Sequence, residues 1–342
     1  MVRAVTRQSL LFCGPRRVEL REESVGPPPP GHVLARTRVS AISAGTELMA
    51  FRGDLPRDMP LDETLGSLGP GTFTYPFRYG YASVGEVIAC GDGVDAAWIG
   101  RRVFSFQPHA TAFVAPAENA LVVPAELASE SAVLFAQMET AVNLTLDGAP
   151  LLGEVVLVIG QGVVGLLVTA LLARFPLATL AVAENIAARA DAGRRLGADD
   201  VVTSIKDCER VLGSRGADLV YELSGNPEAL ELALGAAGHE ARVVVGSWYG
   251  NKRSPIDLGG RFHRRRLRLI SSQVSHIGAA LSARWDRIRR FASVWTSLTE
   301  IDTLSLVTHR VPIQDAQAAF ALLDQHPAEA LQVLLTYPGN AP

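Results

Sequence analysis

Hydrophobic and polar positions divide the chain into a half with short alternating runs and a half with buried runs that alternate with helical periods. From Val2 to about Val123 the signals are strands between turns. Arg17–Glu22 alternates as a half-buried strand should, and Gly26-Pro27-Pro28-Pro29-Pro30-Gly31 reads as a stiff polyproline connector. Val33–Val39 predicts a strand with Arg36 and Arg38 on its wet face and Ala35, Thr37 and Val39 on the other. Gly80–Ile88 and Arg102–Phe106 predict strands of the same sheet. Ser129–Asp147 reads as a helix with Ser129 as its cap, and Ala136, Glu139, Thr140 and Asn143 on one face.

Beyond it the pattern changes. Val155–Ile159 is an unbroken aliphatic run, suited to a strand buried on both faces of a parallel sheet. Strands at Leu180–Ala183, Asp200–Thr203, Leu219–Glu222, Arg242–Val245 and Leu267–Ser271 then alternate with helices at Leu166–Ala173, Ala187–Leu196 and Pro227–Leu234. That alternation predicts an α/β class fold with a doubly wound parallel sheet. Helices at Ala283–Ser297 and Ile313–Asp324 and a strand at Ala330–Thr336 make a tail too short for a domain, which is expected to return to the first lobe. The resulting division is 1–136, 137–272 and 273–342.

Between Ile159 and Leu166 stands Gly160-Gln161-Gly162-Val163-Val164-Gly165. In a strand-to-helix turn this spacing has a mechanism: Gly160 permits the tight turn, Gly162 lets a pyrophosphate approach the backbone, and Gly165 lets helix pack on strand. Amides at the helix start, including those of Val163 and Val164, then face the phosphates. Glu184 closes the next strand, where a carboxylate accepts hydrogen bonds from ribose hydroxyls and repels a 2'-phosphate. NAD is therefore favoured, while the nearby Arg189 leaves NADP open. The alternative is a glycine-bearing turn with no ligand.

Composition narrows the classes. At 342 residues and a formal net charge of −3, the chain has room for more than one core and no electrostatic case for nucleic acid or an anionic membrane. The N-terminal MVRAVTRQSLLF lacks a signal-peptide core, and no run is long enough to span a bilayer. Cys13, Cys90 and Cys208 are far apart and suggest neither a disulfide framework nor a paired-cysteine metal site, so a reducing, cytoplasmic setting is expected. Basic charge is almost all arginine, with lysines only at Lys206 and Lys252.

Gly45-Thr46-Glu47-Leu48, Gly80 with Gly85, Gly100-Arg101-Arg102-Val103, Thr140-Ala141, the glycine turn, Leu196-Gly197-Ala198-Asp199, Glu222-Leu223-Ser224-Gly225 and Val243-Val244-Val245-Gly246 occur in an order that resembles the medium-chain dehydrogenase/reductase superfamily over nearly the entire chain. Ser43–Leu48, Phe262-His263-Arg264 and Thr308-His309-Arg310 look most like its zinc-free, bacteriochlorophyllide dehydrogenase-like branch. The resemblance implies a GroES-like mostly-β catalytic domain plus a Rossmann domain, a homodimer or homotetramer, and an oxidoreductase using NAD or NADP on a small-molecule substrate. Zinc members place a Cys, a His and a third ligand where this chain has Ala44, Tyr81 and Ala136. Alanine has no lone pair to offer and a phenol is a poor ligand at neutral pH, so neither catalytic nor structural zinc is expected.

The implied chemistry is direct hydride transfer between nicotinamide and a secondary alcohol/ketone pair. Alternatives are reduction of an activated C=C bond, as in the quinone and enoyl reductase branches, and a nucleotide-binding scaffold or sensor without turnover. Thr46, the family's proton-relay hydroxyl, and Tyr81 are the candidate donors to the substrate oxygen; Tyr81 also reads as packing in the vacated metal cavity. Glu139 is an acid/base candidate or a partner for Tyr81, against a surface or capping role. His109 is a general-acid candidate, against a structural one. The basic run Arg261–Arg268 with His263 suits an anionic ligand or plain solvated charge. Trp248 and Tyr249, at the end of a strand, suggest an aromatic wall for a bulky or cyclic substrate, against core or interface packing. Thr140, Ser224, Gly246 and Ser272 are cofactor contacts implied by family position.

Overall fold

The computed structural model describes residues 5–338, and the chain divides into two units, Met1–Ala136 with Leu298–Pro342, and Gln137–Ser297. In the first unit β1 (Val5–Gly14) and β2 (Arg17–Val25) form an antiparallel ribbon of their own. The main sheet has seven strands. These are β3 (His32–Ala41), β4 (Ser83–Cys90), β5 (Arg102–Ser105), β6 (Ala112–Pro116) and β7 (Leu121–Val122), with β14 (Val307–Pro312) and β15 (Gln332–Thr336) added from the end of the chain. Its order is β14-β15-β3-β4-β5-β7, with β6 also pairing β3. Helix α1 (Ala44–Arg52) follows β3, and α2 (Ser129–Ala132) closes the N-terminal part. The alternation of β3 holds, with Arg36 exposed while Ala35, Thr37 and Val39 are buried.

Aromatic rings join these elements. Phe12 of β1 packs on Phe77 at 5.3 Å and on Phe320 of α9 (Ala316–Gln325) at 5.3 Å, and Phe320 meets Phe51 of α1 at 5.2 Å. The C-terminal segment is thus bound into the N-terminal lobe by apolar burial, not only by strand pairing.

In the second unit the strands β8 (Val155–Ile159), β9 (Thr179–Ala183), β10 (Asp200–Val202), β11 (Ala217–Glu222), β12 (Ala237–Val245) and β13 (Arg268–Ser271) form one parallel sheet in the order β10-β9-β8-β11-β12-β13. Helices α4 (Val163–Leu172), α5 (Ala187–Arg195), α6 (Ile205–Leu212) and α7 (Ala229–Ala236) make the crossovers. The order reverses between β9-β8 and β11, the switch point at which such sheets bind ligands at their strand carboxyl ends. Helices α3 (Phe135–Gly148) and α8 (Arg287–Glu300) carry the chain into and out of this unit.

Several expectations shift. The helix read from Ser129 breaks at Val133–Leu134 into α2 and α3; Ala128, not Ser129, occupies the cap position, and Ser129 Oγ instead accepts from Arg102 Nη1 at 3.5 Å. Chain return begins at Leu298, not at residue 273, because α8 is tied into the second unit by Arg290. The sequence pattern does not predict strands β1, β6, β7 and β14 or helices α1 and α6. No helix among the described residues is long and apolar enough to cross a membrane, and residues 1–4 of the N-terminal stretch lie outside the described residues.

Asp324 of α9 joins β1–β2 turn and α1 through Arg16 Nε at 2.8 Å and Arg52 Nε at 2.5 Å. Burial alone would raise its carboxyl, but the hydrogen bonds from the two arginines outweigh that and hold it below the ordinary range. A depressed folded-state pKa gives stability that is present above about pH 4 and is lost as pH falls through the folded value. Asp324→Asn is therefore expected to lower the denaturation midpoint at pH 7, with the gap from wild type closing below about pH 4 in urea titrations.

Candidate active site

In the second unit the glycine turn has the geometry its spacing requires. Gly160 adopts φ +89°, and a Cβ there would stand 2.7 Å from Ser224 Cα. A Cβ on Gly165 would lie 2.0 Å from Gly160 O, so helix α4 closes directly on the turn. Gly162 differs: it caps α4 at φ −70° and ψ −178°, with nothing within 4 Å of a Cβ. Open space therefore lies over the helix start, where first-turn amides have no intrahelical partner. Val163 and Val164 open the helix half-buried.

Glu184 follows β9 and clasps this turn. Its Oε2 accepts from Gln161 N at 2.9 Å, and its Oε1 accepts from Asn185 N at 2.8 Å and Ile186 N at 2.9 Å. Burial lowers the pKa of half-buried Arg189, against the opposing charge of Glu184. Gln161, unforeseen as a site residue, is fully buried; its Nε2 donates to Gly160 O at 3.2 Å and its Oε1 accepts from Thr169 of α4 at 3.1 Å.

Beside the turn, Glu222 at the end of β11 is fully buried. It accepts from Ser224 N at 2.8 Å, Ser224 Oγ at 2.5 Å and Tyr249 Oη at 2.5 Å. Burial and this carboxylate push the Tyr249 phenol well up, and its hydroxyl is committed to Glu222. Trp248 is 38% exposed. Ser247 Oγ accepts from Gly225 N at 2.8 Å. Gly246 leaves room for Leu144 and Leu223, either of which would lie 2.6 Å from a Cβ. An acid closing an apolar strand was the signal for Glu222, as it was for Glu184.

Glu139 is not a surface group. It is buried in α3, where Arg290 Nη2 donates to it at 2.5 Å and Arg290 Nη1 donates to Asn143 Oδ1 at 2.9 Å. Burial raises its carboxyl, with the Arg290 charge opposing. Further along the helix, Asp147 Oδ2 accepts from Ser272 Oγ at 2.6 Å and Asn143 Nδ2 at 3.0 Å, so Ser272 anchors the end of β13. Thr140 is half-buried on the same helix. The Arg261–Arg268 run is largely spent locally: Arg261 bonds Gly235 O, Arg265 bonds Ala237 O and Arg266 pairs with Glu240, while His263 is exposed.

The first unit gathers Thr46, Tyr81 and His109. The Tyr81 hydroxyl donates to Ser43 Oγ at 2.6 Å. Burial pushes the phenol up to about 12, against hydrogen bonds to Ser43 and to Thr46 on the first turn of α1. Glu47 Oε1 accepts from Ser43 N at 2.8 Å, and its Oε2 meets His109 Nε2 at 2.8 Å. His109 Nδ1 is 2.7 Å from Ser40 Oγ, which is 2.7 Å from the Tyr337 hydroxyl. Glu47 and His109 are both fully buried. Both ring nitrogens are engaged, so His109 does not reach a substrate as a general acid.

The three positions that the resemblance compares with zinc ligands hold Ala44, Tyr81 and Ala136. Ala44 and Ala136 have no donor atom, and a Tyr81 phenol near 12 stays protonated and occupied with Ser43. Among the described residues no three His, Cys, Asp or Glu side chains converge, and the three cysteines are unbonded to one another.

Residues 163–293 match the zinc-binding dehydrogenase family. The chain is 24% identical to D-guloside 3-dehydrogenase of Escherichia coli K12 over 324 residues, covering 89% of this chain and 93% of that protein. It is 22% identical to sorbitol dehydrogenase of Bacillus subtilis 168, covering 81% of this chain and 85% of that one. The crystal structure of the alcohol dehydrogenase RspB from Escherichia coli CFT073 with NADH superposes with a TM-score of 0.78 at 22% identity, over 97% of this chain and 99% of that one. Galactitol-1-phosphate dehydrogenase from Escherichia coli gives 0.78 at 18%, over 96% and 99%. The α/β fold, a mixed sheet with a parallel Rossmann-type sheet, is that of these alcohol dehydrogenase structures.

Two substitutions separate ligand space from packing. Gly162→Ala should keep its melting temperature within about 2 °C and weaken NADH binding, read by nucleotide fluorescence, by about tenfold or more. Gly165→Ala should lower the melting temperature outright. Arg290→Met strands Glu139 in the interior and should cost about 3–5 kcal/mol in chemical denaturation, much of it recovered when Glu139→Met is added.

Proposed function

We propose that this protein is a zinc-independent, NAD(P)-dependent oxidoreductase that interconverts a secondary alcohol, of the simple or polyol type, and its ketone by direct hydride transfer. The observation that supports the reading is the glycine turn with Glu184 bonded to the Gln161 amide, so that open helix-start space and a carboxylate stand side by side. The α4 amides would hold the pyrophosphate and Glu184 the ribose hydroxyls, which favours NAD over NADP. NAD, when bound, supplies the nicotinamide that carries hydride. Ser224 and Gly246, held by the Glu222 cluster, are the further contacts on this side.

On the substrate side, Tyr81 is the proposed hydrogen-bond donor to the reacting oxygen, with Thr46 and Ser43 orienting it. Its phenol remains neutral at physiological pH, which suits a donor and not a zinc ligand. Dehydrogenases of a guloside and of sorbitol among the relatives support an alcohol or polyol as the substrate class. The narrower likeness to the bacteriochlorophyllide dehydrogenase-like branch rests on short segments and assigns no substrate.

Incubation with NADH deuterated at the nicotinamide C4 and a panel of ketoses, simple ketones and enones is the test. Label on a carbinol carbon is expected. Label β to a carbonyl points to a C=C reductase, and nucleotide binding without exchange points to a scaffold. With an accepted ketone, Tyr81→Phe should lower turnover by roughly tenfold or more while NADH affinity holds; unchanged turnover removes Tyr81 from the reaction.

A further inference from the structure

We propose that His109 is a positioning residue of the hydroxyl site, fixing Tyr81 at both its ends: at the backbone through Gly80, and at the hydroxyl through Glu47 and Ser43. Only the consequence for turnover rests on the function proposed above; the positioning itself does not.

The backbone end is a matter of contact. Gly80 adopts φ +102°, and a Cβ there would lie 2.7 Å from His109 Nε2 and 2.8 Å from Cδ2. The imidazole therefore stands against the Gly80 Cα, one residue before Tyr81, and no side chain can intervene. Its own segment is pinned in turn, with Leu10 N donating to His109 O at 2.9 Å and Thr111 N donating to Gln8 O at 2.9 Å. The ring is not a mobile loop group that happens to point inward.

The hydroxyl end is a chain of hydrogen bonds. Glu47 divides its oxygens between His109 Nε2 and Ser43 N, and Ser43 Oγ accepts the Tyr81 hydroxyl. A carboxylate with no exposure needs a partner for each oxygen, and His109 is the partner that releases the other oxygen to Ser43. Behind the ring, Ser40 and Tyr337 fill the Nδ1 side and fix its orientation. Loss of the imidazole would leave Glu47 Oε2 to find a new donor in the interior, disturbing the carboxylate that also holds the Ser43 amide. The group is assembled from β3, α1, the loop before β6 and the residue after β15, so it reports the folded first unit as a whole.

The test places 3-fluorotyrosine at position 81 in the full chain and reads its fluorine resonance and phenol titration by NMR, with no substrate needed. His109→Phe keeps an aromatic ring against Gly80 but removes both hydrogen bonds. Glu47→Gln keeps volume and breaks the pairing from the other side, and serves where His109→Phe does not fold. In either variant the resonance is expected to move by more than its linewidth, as in Ser43→Ala. His109→Gln, which retains a donor toward Glu47, should restore part of the shift. An unchanged resonance and titration in the folded variants overturns the proposal. With an accepted ketone, kcat should fall about tenfold while KM and NADH affinity stay put, and the loss should not add to that of Tyr81→Phe. A moved resonance with Tyr81→Phe fully active keeps the positioning and sinks the reaction assigned to Tyr81. An active-site tyrosine insensitive to His109 does the reverse.

Discussion

A carboxylate taken out of water has to be met by donors, and Glu47 meets that demand with the groups that define the first unit's site. Its two oxygens bind His109 and the Ser43 amide, and through them Ser40, Tyr337 and Tyr81 acquire fixed places. The same constraint recurs in the second unit. Glu222 draws in Ser224 and Tyr249, and Glu139 draws in Arg290 from α8. At each point a buried acid converts a loop or a helix contact into a single arrangement, because a partly satisfied carboxylate costs more than the freedom it would gain. A half-buried acid, Glu184, does the equivalent for the glycine turn by taking three backbone amides.

What could be read from the chain follows from how local each signal is. Strand β8, the turn and α4 are legible because the glycine roles are steric and contained within a few residues, and Glu184 is legible because the crossover length is fixed by the sheet. Helix α6 is not legible although Ser204 and Asp207 mark its start, with Asp207 N donating to Ser204 Oγ at 3.3 Å; its amphipathic period is confined to eight residues, shorter than the window over which a helical pattern is read. Strand β14 carries Thr308, His309 and Arg310 at an edge where no position is fully buried, so its hydrophobic signal is weak. The break between α2 and α3 has neither Pro nor Gly to announce it.

Site residues divide the same way. Thr46 and Tyr81 come from motif positions and do meet, with Ser43 beside Thr46 at the Tyr81 hydroxyl. The bracing of Glu47 by His109 joins residues 62 apart, and Glu139 finds Arg290 across 151 residues. Such pairs leave no periodicity behind, and only the folded chain shows that His109 is shielded and that Glu139 is already neutralised. The helix-face argument for Glu139 was sound as geometry, since Asn143 does share its partner, but a face has no sign that says which element will cover it.

In the proposed zinc-independent chemistry, with Ala44, Tyr81 and Ala136 at these positions, a phenol would take the place of a metal at the substrate oxygen. A metal polarises that oxygen with full charge and works in both directions of a redox reaction. A phenol near 12 works asymmetrically. It is a stronger acid than an aliphatic alcohol, so passing its proton toward an alkoxide forming on a carbonyl is favourable. The reverse step needs the phenolate, which burial disfavours. Ser43 and Thr46, which hydrogen-bond the oxygen of Tyr81, ease that cost without removing it. Within the proposed chemistry, the buried Glu47–His109 pair contributes by holding the donor in place instead of by entering the proton transfer.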